Sequence, residues 1–201
     1  GSGFIGKNIL ESYLAEKYNI LAPRHAELDL IDEESVDEYF RDNQFDVVVH
    51  SACKPCHRNI VDSSNLLYTN LKMFFNLAKH CNKYKKLINI GSGSVYGMDY
   101  YKSKMPESYY GIHIPNDELG FYKYVVGKHI ELSENMVDLR IFGIFGKYED
   151  YSIRFISNAI CKTLFDLPIT IKQNRVFDYI YIDDFYPIIE FFIDNDCKYK
   201  A

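Results

Sequence analysis

Hydrophobic and polar positions along this chain follow two rhythms that replace one another from segment to segment. Ile9, Leu10, Tyr13, Leu14 and Tyr18 recur at helical spacing, which predicts an amphipathic helix over residues 7–18. A short apolar run at 19–22, ended by Pro23, predicts a strand. Val36, Tyr39 and Phe40 return to the helical period, with Ser35 as the candidate cap. Residues 45–50 form a near-continuous apolar run of the kind buried on both faces of a sheet. A helix is then expected at about 65–79, a strand at 86–90, and a loop-like stretch at 98–118. The next helix carries Tyr124 and Lys128 and runs to about Ser133. It is followed by a strand at 137–142, a helix at 152–164, short strands at 168–172 and 178–182, and a last helix from near Asp184. Strands alternating with helices predict βαβ units. The fold class expected is α/β, a doubly wound parallel sheet covered by helices on both sides.

Composition narrows the class. The chain has 201 residues, 47% of them hydrophobic and 25% charged, which suits one sizeable core. A net charge of −5 without a long basic run argues against nucleic acid as a partner. No apolar run approaches the ~20 residues that span a bilayer, so no membrane partner is expected. Five cysteines in a chain of this length point to reduced thiols and a cytoplasmic protein. Gly1 stands inside a glycine motif, and the last residues carry no obvious terminus. The sequence is therefore expected to be an internal window of a longer protein.

Candidate chemistry begins at that glycine motif. Gly1, Gly3 and Gly6, around Phe4 and Ile5, precede a predicted helix, where glycines let a backbone approach a pyrophosphate. A tight turn between strand and helix uses the same residues. In a dinucleotide fold an acid at the end of the second strand holds the ribose, whereas a basic residue accommodates a 2′-phosphate. Arg24 and His25 occupy that end with no acid, which favours NADP over NAD; an ordinary surface arginine is the alternative. Cys53, Cys56 and His57 spell a C-x-x-C-H pattern, but they follow a strand tip in a reduced-looking chain. The expectation is a loop whose backbone lines a ligand cleft. Asp183 and Asp184 suit the positive end of a helix dipole rather than a metal. Tyr124 and Lys128 lie four residues apart, hence one turn apart on one helix face. An ammonium beside a phenol favours the phenolate, and with the nearby Ser92 hydroxyl the pair makes a proton-transfer device for a carbinol or carbonyl.

Taken in order, these segments resemble the extended short-chain dehydrogenase/reductase family, in its NAD(P)-dependent nucleotide-sugar epimerase/dehydratase group. The resemblance rests on Gly3, Phe4, Ile5 and Gly6; on Leu28, Asp29, Leu30 and Asp32; on His50, Ser51 and Ala52; on Thr69 and Asn70; on Ser92, Val95, Tyr96 and Gly97; on Tyr124 and Lys128; on Leu139, Arg140, Phe142 and Gly146; and on Asp178, Tyr179, Tyr181, Asp183 and Asp184. It implies a Rossmann-like cofactor domain at 1–165, without its first strand, and the start of a small substrate domain at 166–201. It implies that Ser92, Tyr124 and Lys128 are catalytic. Gly1, Gly3, Phe4, Ile5, Gly6, Arg24, Asp29, Leu30, Ser51, Ala52, Cys53, Asn70, Tyr124 and Lys128 would line the cofactor, with Asn70 as a structural polar residue behind it. The implied substrate is a nucleotide sugar, the implied cofactor NADP or NAD, and the implied assembly a homodimer.

Departures from the family pattern sharpen the chemistry. Sugar dehydratases carry an Asp-Glu pair after the Ser92 position, where this chain has Gly93 and Ser94, so epimerase or ketoreductase chemistry is expected instead. GDP-fucose synthases, which the 24–32 segment resembles, place a Cys where Ser94 stands and a His farther on, which residues 152–161 lack. Phe177 replaces a frequent Arg that holds the diphosphate. Arg175, two residues earlier and on the same face of a strand, is the candidate substitute, and Ser94 is the other candidate substrate contact. A non-catalytic dinucleotide-binding scaffold and a reductase of small non-sugar carbonyls are the competing readings.

Overall fold

The computed structural model describes residues 1–55, 64–171, 173–174 and 176–196. Its elements alternate as the hydrophobic rhythm predicts: α1 (Phe4–Glu11), α2 (Leu14–Lys17), α3 (Glu33–Asp42), β1 (Phe45–His50), α4 (Leu66–Ala78), β2 (Tyr84–Ile90), α5 (Glu118–Leu132), β3 (Met136–Leu139), β4 (Gly143–Phe145), α6 (Phe155–Leu164), β5 (Tyr179–Tyr181) and α7 (Ile182–Asp194). Strands β1, β2 and β3 form a parallel sheet in that order, and β4 and β5 form a separate parallel pair.

The period of two decides which side chain goes where. Val48, Leu87 and Met136 face a core built with Val36 and Phe40 of α3, Phe74 and Leu77 of α4, and Val126 and Ile130 of α5. Their sequence neighbours Val47, Ile88 and Val137 face the opposite core, against Ile9 of α1, Leu14 of α2, and Ile182, Phe185 and Ile189 of α7. Each strand therefore buries both faces, which is why its sequence reads as a run rather than an alternation.

Toward the C-terminal end of the sheet the α4–α5 face changes character. The register pairs His50 with Asn89 and Asn89 with Asp138, and all three are buried. A polar rung thus crosses three strands just where the loops of a doubly wound sheet receive ligands.

Four sequence expectations are corrected. Residues 7–18 form two helices, because Ser12 Oγ accepts the Leu14 N–H and restarts the chain. Residues 19–22 form no strand: β1 has β2 as its only ladder partner among the described residues, and a strand exists only by pairing. Residues 168–171 likewise form no strand and lie exposed. The cap of α3 is Asp32, which accepts the Glu34 N–H at 3.1 Å, while Ser35 Oγ instead accepts the Asp29 N–H. The last helix begins at Ile182 and carries Asp183 and Asp184 in its first turn, as the dipole argument expects.

Candidate active site

Helix α1 starts from Gly3, which has no side chain to cap it, and its first turn carries no acid. The leading N–H groups of a helix have no intrahelical partner, so this end presents donors and a positive dipole. A Cβ on Gly6 would stand 2.6 Å from Gly1 O, and one on Gly1 2.5 Å from Ala22 Cβ, so both glycines let the turn close on itself. Gly3 faces open space. The turn therefore fits a pyrophosphate, with Gly3 as the point of backbone approach and Phe4, Ile5 and Gly6 as N–H donors.

The 24–32 segment is held mostly by its own groups. Arg24 is exposed and pairs with Glu27 at 3.2 Å rather than standing free. Asp29 accepts the Ile31 N–H and lies 3.7 Å from His25. Leu30 packs against the α3–α4 core, and its carbonyl accepts from Asn76 at 2.8 Å.

Beyond β1 come Ser51, Ala52 and Cys53. Buried Asn70 of α4 fastens this loop: its Oδ1 accepts the Lys54 N–H at 2.7 Å, and its Nδ2 donates to Lys54 O and Leu66 O. Cys53 Sγ lies 3.1 Å from Tyr122 Oη of α5. Cys56, His57 and Arg175 lie outside the described residues.

The loop after β2 turns at once into a 3₁₀ turn, Gly93–Tyr96, which Ser92 caps by accepting the Ser94 N–H at 3.1 Å. The Gly93 N–H donates to Ile141 O, tying this turn to the end of β3. Ser94 Oγ is buried without a hydrogen-bond partner among the described residues, a state that costs about 1–3 kcal/mol unless something satisfies it. Asp117 caps α5 through the Gly120 N–H, and Gly120 lets the helix pack against the Ser94 carbonyl. Tyr124 and Lys128 sit half-buried one turn apart on α5, as the spacing predicts, with Lys128 Nζ 5.7 Å from the Tyr124 ring.

Sequence reasoning missed what surrounds this pair. Lys128 Nζ bonds Glu131 at 2.8 Å and stands 4.4 Å over the Tyr110 ring. Tyr110 comes from the 98–118 loop and donates its hydroxyl to Tyr124 O at 2.8 Å. Arg140 lies on the other cationic approach to that ring, 3.9 Å from its centroid, and bonds Asp138 at 3.4 Å. Asp138 in turn accepts from Asn89 at 2.6 Å. Burial pushes the Asp138 carboxyl up and the Lys123 ammonium down. Lys123, on the sheet-facing side of α5, donates to Ile90 O at 2.7 Å. An aspartate inside the apolar run at 136–139 is the one signal of this network visible in the sequence.

Next to the turn opens a cleft of about 390 Å³ lined by Met98, Asp99, Tyr101, Lys102, Ser103, Val176 and Phe177. Phe177 packs its ring near Tyr101 and Phe142, and Phe142 stacks on Tyr96 at 5.8 Å. Phe177, the position expected from the family resemblance to carry an Arg, is thus part of an aromatic wall. Among the described residues no group of His, Cys, Asp or Glu is arranged to hold a metal ion, and no helix is long and apolar enough to cross a membrane.

A sequence model of the NAD dependent epimerase/dehydratase family matches residues 1–200. The GDP-L-colitose synthase of Yersinia pseudotuberculosis is 32% identical over 101 residues, 48% of this chain and 33% of that protein. The GDP-L-fucose synthase of Azorhizobium caulinodans is 33% identical over 100 residues, 48% of this chain and 32% of that protein. The matches thus span about a third of these relatives' length. Among solved structures, the NADP-bound GDP-mannoheptose C4 reductase from Campylobacter jejuni superposes with a TM-score of 0.80 at 18% identity, covering 96% of this chain and 73% of that one. An NADP-bound GDP-L-fucose synthetase from Naegleria fowleri gives 0.74 at 14% identity, covering 95% and 65%. At these identities the likeness is one of fold: a Rossmann-like α/β sheet.

Proposed function

We propose, for a chain that belongs to the NAD dependent epimerase/dehydratase family, that the protein containing it reduces the ketone of a GDP-linked sugar, with NADPH as hydride donor. The observation that carries this reading is the group formed by Tyr124 and Lys128 on α5 and the Ser92-capped turn against which α5 packs. Tyr124 gives its proton to the carbonyl oxygen as that oxygen becomes a hydroxyl, Ser92 holds the same oxygen, and Lys128 keeps a cation beside the phenol through the transfer. The bound nicotinamide supplies the hydride. GDP stands in the names of these relatives, and NADP is bound in the two solved neighbours. Gly3, Phe4, Ile5 and Gly6 hold the pyrophosphate, the Ser51–Cys53 backbone lines the inner ribose, and Asp29 and Leu30 lie at the adenine. Arg24 leaves Glu27 for the 2′-phosphate, a cheap exchange for an exposed pair.

Reduction is favoured over epimerisation of a carbon beside the ketone. Inverting a carbon beside a ketone needs a base on one face and an acid on the other, each able to change protonation near neutral pH. Ser94 is a hydroxyl, and α6 (FISNAICKTL) carries no histidine. Ser94 Oγ and Arg175 are assigned to the sugar nucleotide. Residues 1–165 serve the cofactor and 166–201 begin the substrate part; the enzyme works in the cytoplasm as a homodimer.

The test is NADPH consumption by the full protein with a 4-keto sugar on GDP, UDP, CDP or dTDP. Turnover is expected with the GDP carrier and at least about tenfold less with the others, the size of one lost set of directed contacts. Equal rates on all four would remove the carrier from the reading.

A further inference from the structure

We propose that Tyr110 is a positioning residue that fixes the Tyr124–Lys128 turn by locking α5 to the polar rung of the sheet. The inference rests on the functional reading of that turn. Tyr110 arrives on a loop that bends back at Gly111, whose φ of +85° is a left-handed conformation that glycine adopts without strain. This bend also leaves room for Lys128: a Cβ on Gly111 would lie 3.3 Å from its Nζ. The Tyr110 ring then has two cations on it, Lys128 Nζ at 4.4 Å and the Arg140 guanidinium at 3.9 Å from the centroid. Two like charges on one ring are tolerable because each has its own carboxylate, Glu131 at 2.8 Å and Asp138 at 3.4 Å. The hydroxyl is committed elsewhere, to Tyr124 O at 2.8 Å. One side chain thus grips the backbone of the proton donor and the head group of its lysine.

The fit is close on the helix side. A methyl group on residue 127 would stand 2.6 Å from Tyr110 Oη. Gly127 is otherwise a poor residue for a helix interior, and alanine there is favoured by about 1 kcal/mol on propensity alone. Its presence at the centre of α5 keeps a place for Tyr110. The anchoring continues inward from Arg140 through Asp138 to Asn89, so the loop, the helix and the sheet meet at this ring.

The experiment compares Tyr110→Leu, Tyr110→Phe and Tyr124→Phe in the full protein, measuring kcat, KM for the GDP-keto sugar and thermal melting. Misplacing a reacting group by about an ångström costs on the order of 10²-fold, so Tyr110→Leu is expected to lose 10- to 100-fold in kcat with KM unchanged. Tyr110→Phe keeps the ring between its cations and is expected to recover most of that loss. If Tyr110→Leu does not fold, Gly127→Ala decides: it favours the helix, yet displaces Tyr110, and should lower kcat about fivefold or more. A folded Tyr110→Leu, or failing that Gly127→Ala, with native kcat overturns the proposal, as does an effect confined to KM. With Tyr124→Phe inactive, that result leaves the functional reading standing. Normal turnover in Tyr124→Phe overturns both.

Discussion

At the residue scale, Lys128 shows what sequence spacing can and cannot tell. The four-residue interval put Lys128 and Tyr124 on one face of one helix, and they are there. The interval says nothing of Tyr110 or Arg140, which reach the same point from 14 and 16 residues away along the chain from Tyr124. Long-range convergence of this kind leaves no periodic signal. His50 is a similar case: it reads as the tip of an apolar strand, and its buried Nδ1 has no hydrogen-bond partner among the described residues. Burial, and then the Lys123 ammonium, hold His50 down to about 3, from its ordinary 6.5. Below 6.5 the unfolded chain takes up this proton while the folded chain refuses it, down to about 3. The unfolded state therefore binds more protons in that window, and stability falls as the pH falls through it. Between pH 7 and pH 5 the wild type is expected to lose about 2 kcal/mol more stability than His50→Gln, read by urea unfolding at both values. Equal losses would show that His50 does not titrate differently in the two states.

At the element scale, the elements most packed into the two cores were the legible ones. Helices α3, α4 and α5 and strands β1 and β2 stand within a few residues of their predicted bounds. Residues 19–22 have strand-like side chains and no ladder partner among the described residues, and Ser35 has a capping side chain, but Asp32 is the residue that accepts at the helix start. Caps and pairings depend on neighbours that periodicity does not encode. Asn70 is the polar residue on which an element carries the site: α4 brings it under the loop after β1, where it makes three hydrogen bonds to backbone. Asn70→Ala removes these three hydrogen bonds and should cost about 1–3 kcal/mol. Thermal unfolding checks that cost. Calorimetry with NADPH should show weaker binding in the same variant, because the Ser51–Cys53 backbone loses its anchor. Unchanged affinity would detach that loop from the cofactor.

At the scale of the whole molecule, alternation of strands and helices was enough to predict a parallel sheet with a core on each face, and Leu87 against Ile88 marks the division between the two. The exchange of apolar for polar residues at His50, Asn89 and Asp138 was not foreseen, since it depends on strand register. That rung lies at the end of the sheet from which the Ser92 turn and the Cys53 loop project. The proposed proton donor stands on α5, packed against the Ser92-capped turn, and the account stands on whether that donor is Tyr124. The direct measurement is transfer of deuterium from 4-deuterated NADPH, labelled on the transferring face, to the sugar carbon of a GDP-linked ketone, compared between wild type and Tyr124→Phe. The account predicts one deuterium on the new carbinol carbon per turnover in the wild type, and none in a variant whose NADPH binding stays largely intact. Transfer at the wild-type rate by Tyr124→Phe would contradict it.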